Sequence, residues 1–89
     1  MVFGVVRVRK GAVQVRFEIL EYLFYEVGGQ PRTYVWRRAT SLSYDDFLRH
    51  LAYLIGKELV RESEDGKVSL TRHGREIYVE LRKSLPSIL

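Results

Sequence analysis

The segment from Ser43 to Lys57 carries polar side chains at the spacing of one helix face. With successive residues about 100° apart, the polar side collects Asp45, Asp46, Arg49, His50, Tyr53 and Lys57. Two kinds of chemistry are open to such a face. Asp46 and His50, four residues apart, have the spacing of a metal-ligand pair, while the whole face can hydrogen-bond to a partner surface.

Metal binding and catalysis lack the further residues that they need. Two ligands do not make a metal site, and the only other histidine, His73, lies beyond a predicted hairpin. The sequence has no cysteine and contains no glycine-rich phosphate loop, nucleophile elbow or H-E-x-x-H run. We therefore expect a protein that is not an enzyme and that has no cofactor and no metal.

The apolar residues of the same segment explain how its polar side is held outward. The opposite side collects Tyr44, Phe47, Leu48, Leu51, Leu54 and Ile55, which predicts an amphipathic helix packed on a core. Ser43 and Asp46 form an S-x-x-D capping box, so the helix is expected to begin at Ser43.

Two helices are predicted upstream. The first runs from Ala12 to Val27 and ends at Gly28-Gly29. Its core stripe is Val13, Phe17, Leu20, Phe24 and Val27. Val15, Ile19 and Tyr22 make a second partial apolar stripe on the other side, which a solvated helix does not require and which leaves a dimer contact open.

Pro31 suits the first turn of the second helix, which is short and basic. Its charges are Arg32, Arg37 and Arg38, and its apolar side is Tyr34, Val35, Trp36 and Ala39, with Trp36 expected in the core. Thr40-Ser41-Leu42 then predicts a tight turn before the capped helix.

A hairpin and a last helix are predicted downstream. Strands Leu59 to Glu62 and Lys67 to Leu70 flank Ser63-Glu64-Asp65-Gly66, and an Asp-Gly turn is a strong hairpin signal. Thr71 is expected to cap the last helix, which ends near Pro86. The inner stripe of that helix is Ile77, Tyr78, Leu81 and Leu85.

Length and composition limit the chain to one domain. It has 89 residues, and no apolar run approaches the roughly 18 to 20 residues of a membrane span, so we expect a cytoplasmic protein with no membrane contact. The absence of asparagine and the 29% of charged residues fit a heat-adapted host.

The net charge of +4 is concentrated at the amino-terminal end. Arg7, Arg9, Lys10 and Arg16 precede the first acid, whereas residues 17–89 hold as many acids as bases. A basic segment of this kind favours a polyanion partner, the alternative being a solvated strand. We assign residues 1–11 to a basic strand or arm and residues 12–89 to the folded domain.

The order of elements is that of an α+β winged helix-turn-helix, mainly helical with a small antiparallel wing hairpin. In this architecture the second helix of the turn motif enters the DNA major groove, while the first crosses the phosphate backbone. The polar face of residues 43–57 would therefore meet duplex DNA.

Two short motifs strengthen that interpretation. The turn Ala39-x-x-Leu42-Ser43-Tyr44 and the entry to the last helix, Leu70-Thr71-x-x-Gly74, resemble those of small archaeal winged-helix DNA-binding proteins. This family includes the ten-kilodalton chromosomal proteins of crenarchaea, and the resemblance covers about residues 13–83.

The resemblance implies duplex DNA binding with modest sequence preference and homodimers joined through the last helix. It also implies a transcriptional regulator or a nucleoid-associated chromatin protein. Two differences are visible: the turn carries an additional residue around Thr40-Ser41, and the last helix ends near Pro86 rather than extending into a coiled coil.

Contacts to DNA are predicted for Arg7, Arg9, Arg32, Arg37, Arg38, Ser43, Tyr44, Arg49, His50, Tyr53, Lys57 and Lys67. Arg49 can bind a guanine edge bidentately. Tyr53 is expected either on a phosphate or thymine methyl or packed on the wing, and His50 either on DNA or against the wing.

The charges leave a second function open. Asp45, Asp46, Arg49 and Lys57 sum to zero, and the wing from Arg61 to Lys67 holds two bases and three acids. A neutral recognition face also suits a winged helix that docks on a protein and does not bind DNA.

Overall fold

A computed structural model describes residues 11–84 of the chain. In chain order the elements are α1 (Ala12–Tyr25), β1 (Gln30–Pro31), α2 (Arg32–Ala39), α3 (Tyr44–Gly56), β2 (Val60–Glu62), β3 (Lys67–Leu70) and α4 (Arg72–Ser84). The predicted α+β class with a small antiparallel hairpin is confirmed. No helix within these described residues is long and apolar enough to cross a membrane.

Helix α1 is the centre of the core and is covered on two sides. Val15 and Ile19 are buried within the single chain, so their assignment to a dimer contact is wrong. On its other side α1 packs on α4, where the rings of Phe17 and Phe24 lie 5.3 and 4.6 Å from that of Tyr78. Both apolar stripes are therefore used inside one domain.

The two end residues of the predicted core stripe of α1 are exposed, so their assignment to the core is wrong. Val13 is 74% exposed, and Val27 is 72% exposed because the helix ends at Tyr25 and Val27 lies beyond it. Leu23, which belongs to neither predicted stripe, is buried instead.

The sheet has three strands where the sequence predicted two, in the order β1-β3-β2. Gln30 pairs with Val68 and Pro31 with Lys67 in the additional antiparallel ladder. Pro31 thus precedes α2 as its N-cap residue instead of lying in its first turn. Its missing N–H is tolerated because β1 is an edge strand.

The end of α3 is closed by a left-handed residue. Glu58 has φ 62°, and the N–H groups of Glu58 and Leu59 donate to the carbonyls of Ile55 and Leu54 at 2.9 and 3.0 Å. This is the bonding of a Schellman motif, in which glycine is the usual residue. The turn directs the chain into β2.

The predicted cap of α4 is confirmed. Thr71 Oγ1 accepts from the backbone N–H of Gly74 at 2.9 Å and donates to the carbonyl of Glu58 at 2.6 Å. The Thr71 hydroxyl therefore links the start of α4 to the end of α3.

Only the first part of α4 is packed on the body of the domain. Tyr78 is fully buried, but Leu81, predicted in the same inner stripe, is 38% exposed, and every residue from Val79 to Ser84 is exposed. Leu85 and Pro86 lie outside the described residues. Burial and the hydrogen bond from the Tyr78 hydroxyl to Glu21, 3.1 Å long, raise the pKa of Tyr78 to about 12.

Candidate nucleic-acid interface

Helix α3 presents its polar side outward, as its periodicity predicts. Phe47, Leu51 and Leu54 are buried, whereas Asp45, Asp46, Arg49, Ala52, Tyr53, Gly56 and Lys57 are exposed. Ile55 was predicted inside but is 37% exposed, because it lies in the last turn, where the core contact ends. The outer side also includes the small residues Ala52 and Gly56. A partner could therefore approach the helix closely there.

The start of α3 is fixed by the predicted serine cap. Ser43 Oγ accepts from the backbone N–H of Asp46 at 3.2 Å. The carboxylate of Asp46, which the capping box assigned to the cap, instead accepts from Arg49 Nη1 at 3.3 Å. Asp45 and Asp46 both lie in the first turn, where the helix dipole favours acids.

The turn between α2 and α3 is held by Trp36. Its indole N–H donates to the carbonyl of Leu42 at 2.7 Å, and its own carbonyl accepts from the Thr40 hydroxyl at 2.8 Å. The ring packs edge-on against Tyr44, with centroids 5.0 Å apart. Trp36 is only partly buried, and the orientation of α3 relative to α2 depends on its polar edge as well as on its apolar surface.

A residue of α1 completes the outer side of α3. Arg16 Nε donates to His50 Nδ1 at 3.3 Å, and its guanidinium carbon lies 3.6 Å from the centroid of the Tyr53 ring. Burial and the neighbouring charge of Arg16 lower the pKa of His50. His50 therefore contacts α1, which the sequence did not predict. Asp46 and His50, which have the spacing of a metal-ligand pair, contact Arg49 and Arg16 instead.

Sequence reasoning did not find Arg16, which it assigned to the basic amino-terminal charges. The contact joins residues 34 positions apart, and no local pattern reports such a distance.

The hairpin of β2 and β3 is short, and hydrogen bonds made by Ser63 hold its tip. The Ser63 hydroxyl donates to the Asp65 carboxylate and its N–H donates to the Lys67 carbonyl, while Gly66 has φ 82°. The hydrogen bond from Ser63 lowers the pKa of Asp65. Exposed Glu64 and Asp65 balance exposed Arg61 and Lys67, so the tip carries no net charge.

Helix α3 is thus an exposed helix that follows a fixed turn and precedes the β2–β3 hairpin. The sequence profile of winged helix-turn-helix domains matches residues 9–86. The chain belongs to this family. The search among curated proteins finds no match.

In winged-helix terms α2 and α3 form the helix-turn-helix, α3 is the recognition helix and the β2–β3 hairpin is the wing. Arg32, a predicted DNA contact, joins the first of these helices to the wing. Its Nε and Nη2 each lie 2.7 Å from an oxygen of Glu62. The hydrogen bonds that Arg32 donates to Glu62 raise the pKa of Arg32.

The other two arginines of α2 lie in its last turn and are exposed. Arg37 lies 5.5 Å over the Trp36 ring, beside the helix-turn-helix turn. Arg38 lies 4.4 Å over Tyr34 and lines a shallow cavity of about 380 Å³ between α1 and α2. The cavity is also lined by Glu18, Glu21 and Glu26, so Arg38 has acids around it.

The remaining predicted contacts fall into three groups. Ser43, Tyr44, Arg49, His50, Tyr53 and Lys57 are brought together on or beside the recognition helix, with Tyr44 half-buried against Trp36. Arg7 and Arg9 lie outside the described residues, and Lys67 is exposed on the wing.

Proposed function

We propose that this winged helix binds duplex DNA with α3 in the major groove. Arg49 is the leading base-reading residue, with Asp45 beside it as an acceptor for a cytosine amino group. Arg37 and Arg38 contact phosphates from α2, and Arg7 and Arg9 add charge from the amino-terminal arm. The wing contributes Lys67 to the backbone or the minor groove.

The observation that carries this proposal is the free outer side of α3. The Arg49 side chain is 80% exposed, and its one ion pair among the described residues is the 3.3 Å contact with Asp46 in the preceding turn. Such an exposed pair contributes little to folding, so Arg49 can exchange Asp46 for a base edge at small cost. The N-terminal residues of a recognition helix are those that reach base edges in this architecture.

Arg32 has a positioning role in this proposal. Its bidentate bond to Glu62 uses one donor edge of the guanidinium, formed by Nε and Nη2, and supplies a carboxylate counter-ion in place of a phosphate. It holds the first helix of the motif against the wing, so the two DNA-contacting elements keep one relative orientation. Arg32 therefore supports binding without contacting DNA.

The biological role follows from the resemblance to small archaeal winged-helix proteins. We place the protein in the cytoplasm on the nucleoid of a heat-adapted archaeon, as a transcriptional regulator or a chromatin protein. Homodimerisation is part of the same proposal, and the exposed Val79 and Leu81 on α4 are candidates for the contact. Sedimentation of the full chain and of Leu81→Ser tests it: a monomer at micromolar concentration would contradict the dimer.

Docking on a protein is the second candidate function. It is favoured by the formal charge of zero on Asp45, Asp46, Arg49 and Lys57, which does not attract a polyanion at long range. The two functions differ in what they need from Arg49, because a base edge requires its fork and a docking surface does not.

A gel-shift series separates these functions. Random-sequence duplexes are titrated with the wild-type chain, Arg49→Gln and the matched control Arg82→Gln at about 50 mM salt and above. We expect a wild-type shift that weakens steeply with salt, a loss of about tenfold or more for Arg49→Gln, and no change for Arg82→Gln. Absence of a wild-type shift at low salt would overturn DNA binding in favour of docking.

A further inference from the structure

The carboxyl-terminal half of α3 differs electrostatically from its amino-terminal half. The first half holds Asp45, Asp46 and Arg49, whereas the second, from His50 to Lys57, contains no acid. Arg16 adds a second positive charge to that half from α1, and both Arg16 and Lys57 lie near the Tyr53 ring. Their guanidinium carbon and ammonium nitrogen lie 3.6 and 5.6 Å from the centre of the Tyr53 ring.

We propose that Arg16, Tyr53 and Lys57 form a binding site for one phosphate of the DNA backbone. The site rests on the proposed function and adds to it a residue outside the helix-turn-helix. Arg16 supplies the guanidinium, Lys57 a second cation, and Tyr53 the aromatic surface on which Arg16 stacks.

The hydrogen bonding of Arg16 leaves its outer donors available. Its Nε donates a hydrogen bond to His50, and one face of its guanidinium stacks on the Tyr53 ring. Within residues 11–84 no group accepts from its two terminal nitrogens, and no carboxylate lies within ion-pair distance of it. A stacked guanidinium with a free edge is a geometry that matches phosphate oxygens.

Other arginines of the chain show what distinguishes this one. Arg32 forms a bidentate ion pair with Glu62, and Arg49 has Asp46 next to it. Arg82 also lies over a tyrosine, at 5.9 Å from the Tyr25 ring, but at the other end of α1, roughly 13 Å away by helical rise. Arg16 combines a fixed orientation, the absence of a described counter-ion and a place beside the recognition helix.

The position of the site also fits the expected docking. When the N-terminal residues of a recognition helix are at base edges, its later turns approach the strand that borders the groove. The site would therefore add affinity that does not depend on sequence, since phosphate contacts position a protein without reading bases.

The test compares Arg16→Gln with Arg82→Gln, two removals of an arginine stacked on a tyrosine. For each folded variant, log K for duplex DNA is measured against log salt. We expect Arg16→Gln to reduce the slope measurably and Arg16→Gln with Lys57→Gln to reduce it by about one, the contribution of a single phosphate, equally on unrelated sequences. Arg82→Gln should keep the wild-type slope. A wild-type slope in folded Arg16→Gln would overturn the site.

A second measurement keeps the site testable if DNA binding itself fails. Inorganic pyrophosphate is titrated into the full chain while the ring signals of Tyr53 and His50 are followed by NMR. We expect saturable shifts in the wild type that Arg16→Gln loses and Arg82→Gln keeps. No shift in the wild type would overturn the phosphate site, whereas shifts without any duplex binding would refute only the proposed function.

Discussion

Gly74, in the first turn of α4, packs directly on the backbone carbonyl of Leu59. A β-carbon at Gly74 would lie 2.9 Å from the carbonyl carbon of Leu59 and closer still to its oxygen. The glycine of the Leu-Thr-x-x-Gly motif is therefore required by the contact between α4 and the chain that leads into the wing.

We expect Gly74→Ala to destabilise the fold by about 1 to 3 kcal/mol, since backbone atoms have to move apart. Gly56→Ala is the matched control, because a β-carbon at this exposed helical position meets nothing within 4 Å. That substitution should stabilise by about 0.5 to 1 kcal/mol through helix propensity. Urea unfolding measures both, and equal effects of the two substitutions would contradict the packing argument.

Glu58 is a second site where the backbone conformation predicts a change in stability. Its φ of 62° places it in the left-handed region, which costs a residue with a β-carbon about 1 kcal/mol or more. Glu58→Gly should raise the free energy of unfolding by up to about 1 kcal/mol and the midpoint temperature by a few degrees. Glu58→Ala keeps the β-carbon and should give no such gain, and a gain as large as that of glycine would assign the effect to lost charge.

The pKa of His50 predicts a pH dependence of stability. Burial and Arg16 on α1 lower it below the usual 6.5, opposed by Asp46 on α3. The folded chain therefore binds fewer protons than the unfolded chain between the lowered pKa and 6.5, and its stability rises with pH in that window. The loss of stability caused by protonation of His50 is absent above its pKa in the unfolded chain and complete below its pKa in the folded chain.

We expect NMR titration to place the pKa of His50 below 6.5 in the wild type and closer to it in Arg16→Gln. Chemical unfolding at several pH values should show a weaker loss of stability toward acid in His50→Gln than in the wild type. A pKa of His50 that is the same in the wild type and in Arg16→Gln would refute the Arg16 contact.

The hydrogen bond donated by the Trp36 indole is expected to stabilise the turn between α2 and α3. Trp36→Phe retains an aromatic ring but leaves the Leu42 carbonyl without the donor that lies 2.7 Å away. We expect a loss of about 1 to 3 kcal/mol, measured by circular dichroism during urea unfolding. Tyr34→Phe, on the exposed side of the same helix, should change stability by less than about 0.5 kcal/mol.

Local features of the fold were predictable because their causes are local. The buried and exposed sides of α3 follow from helical period, its first residue from the Ser43 cap, and the wing from the Asp-Gly turn. Each is decided by residues within a few positions of one another, so the sequence alone contains the information.

Features that depend on distant segments were missed. Strand β1 has only Gln30 and Pro31 and exists because β3 pairs with it, so its own residues carry no strand pattern. The two stripes of α1 have the same appearance whether a neighbouring helix or a second subunit covers them. The Arg16 contact with His50 and Tyr53 depends on the packing angle of α1 and α3, which no periodicity encodes.

The sheet order β1-β3-β2 places the strand that precedes α2 on the far edge of the wing. Together with the Arg32 link to Glu62, it ties the wing from both edges to the start of the helix-turn-helix. The hairpin cannot swing as an independent flap. Formation of the proposed DNA complex should then approach rigid-body docking, and a duplex that does not match this fixed shape would have to bend to the protein.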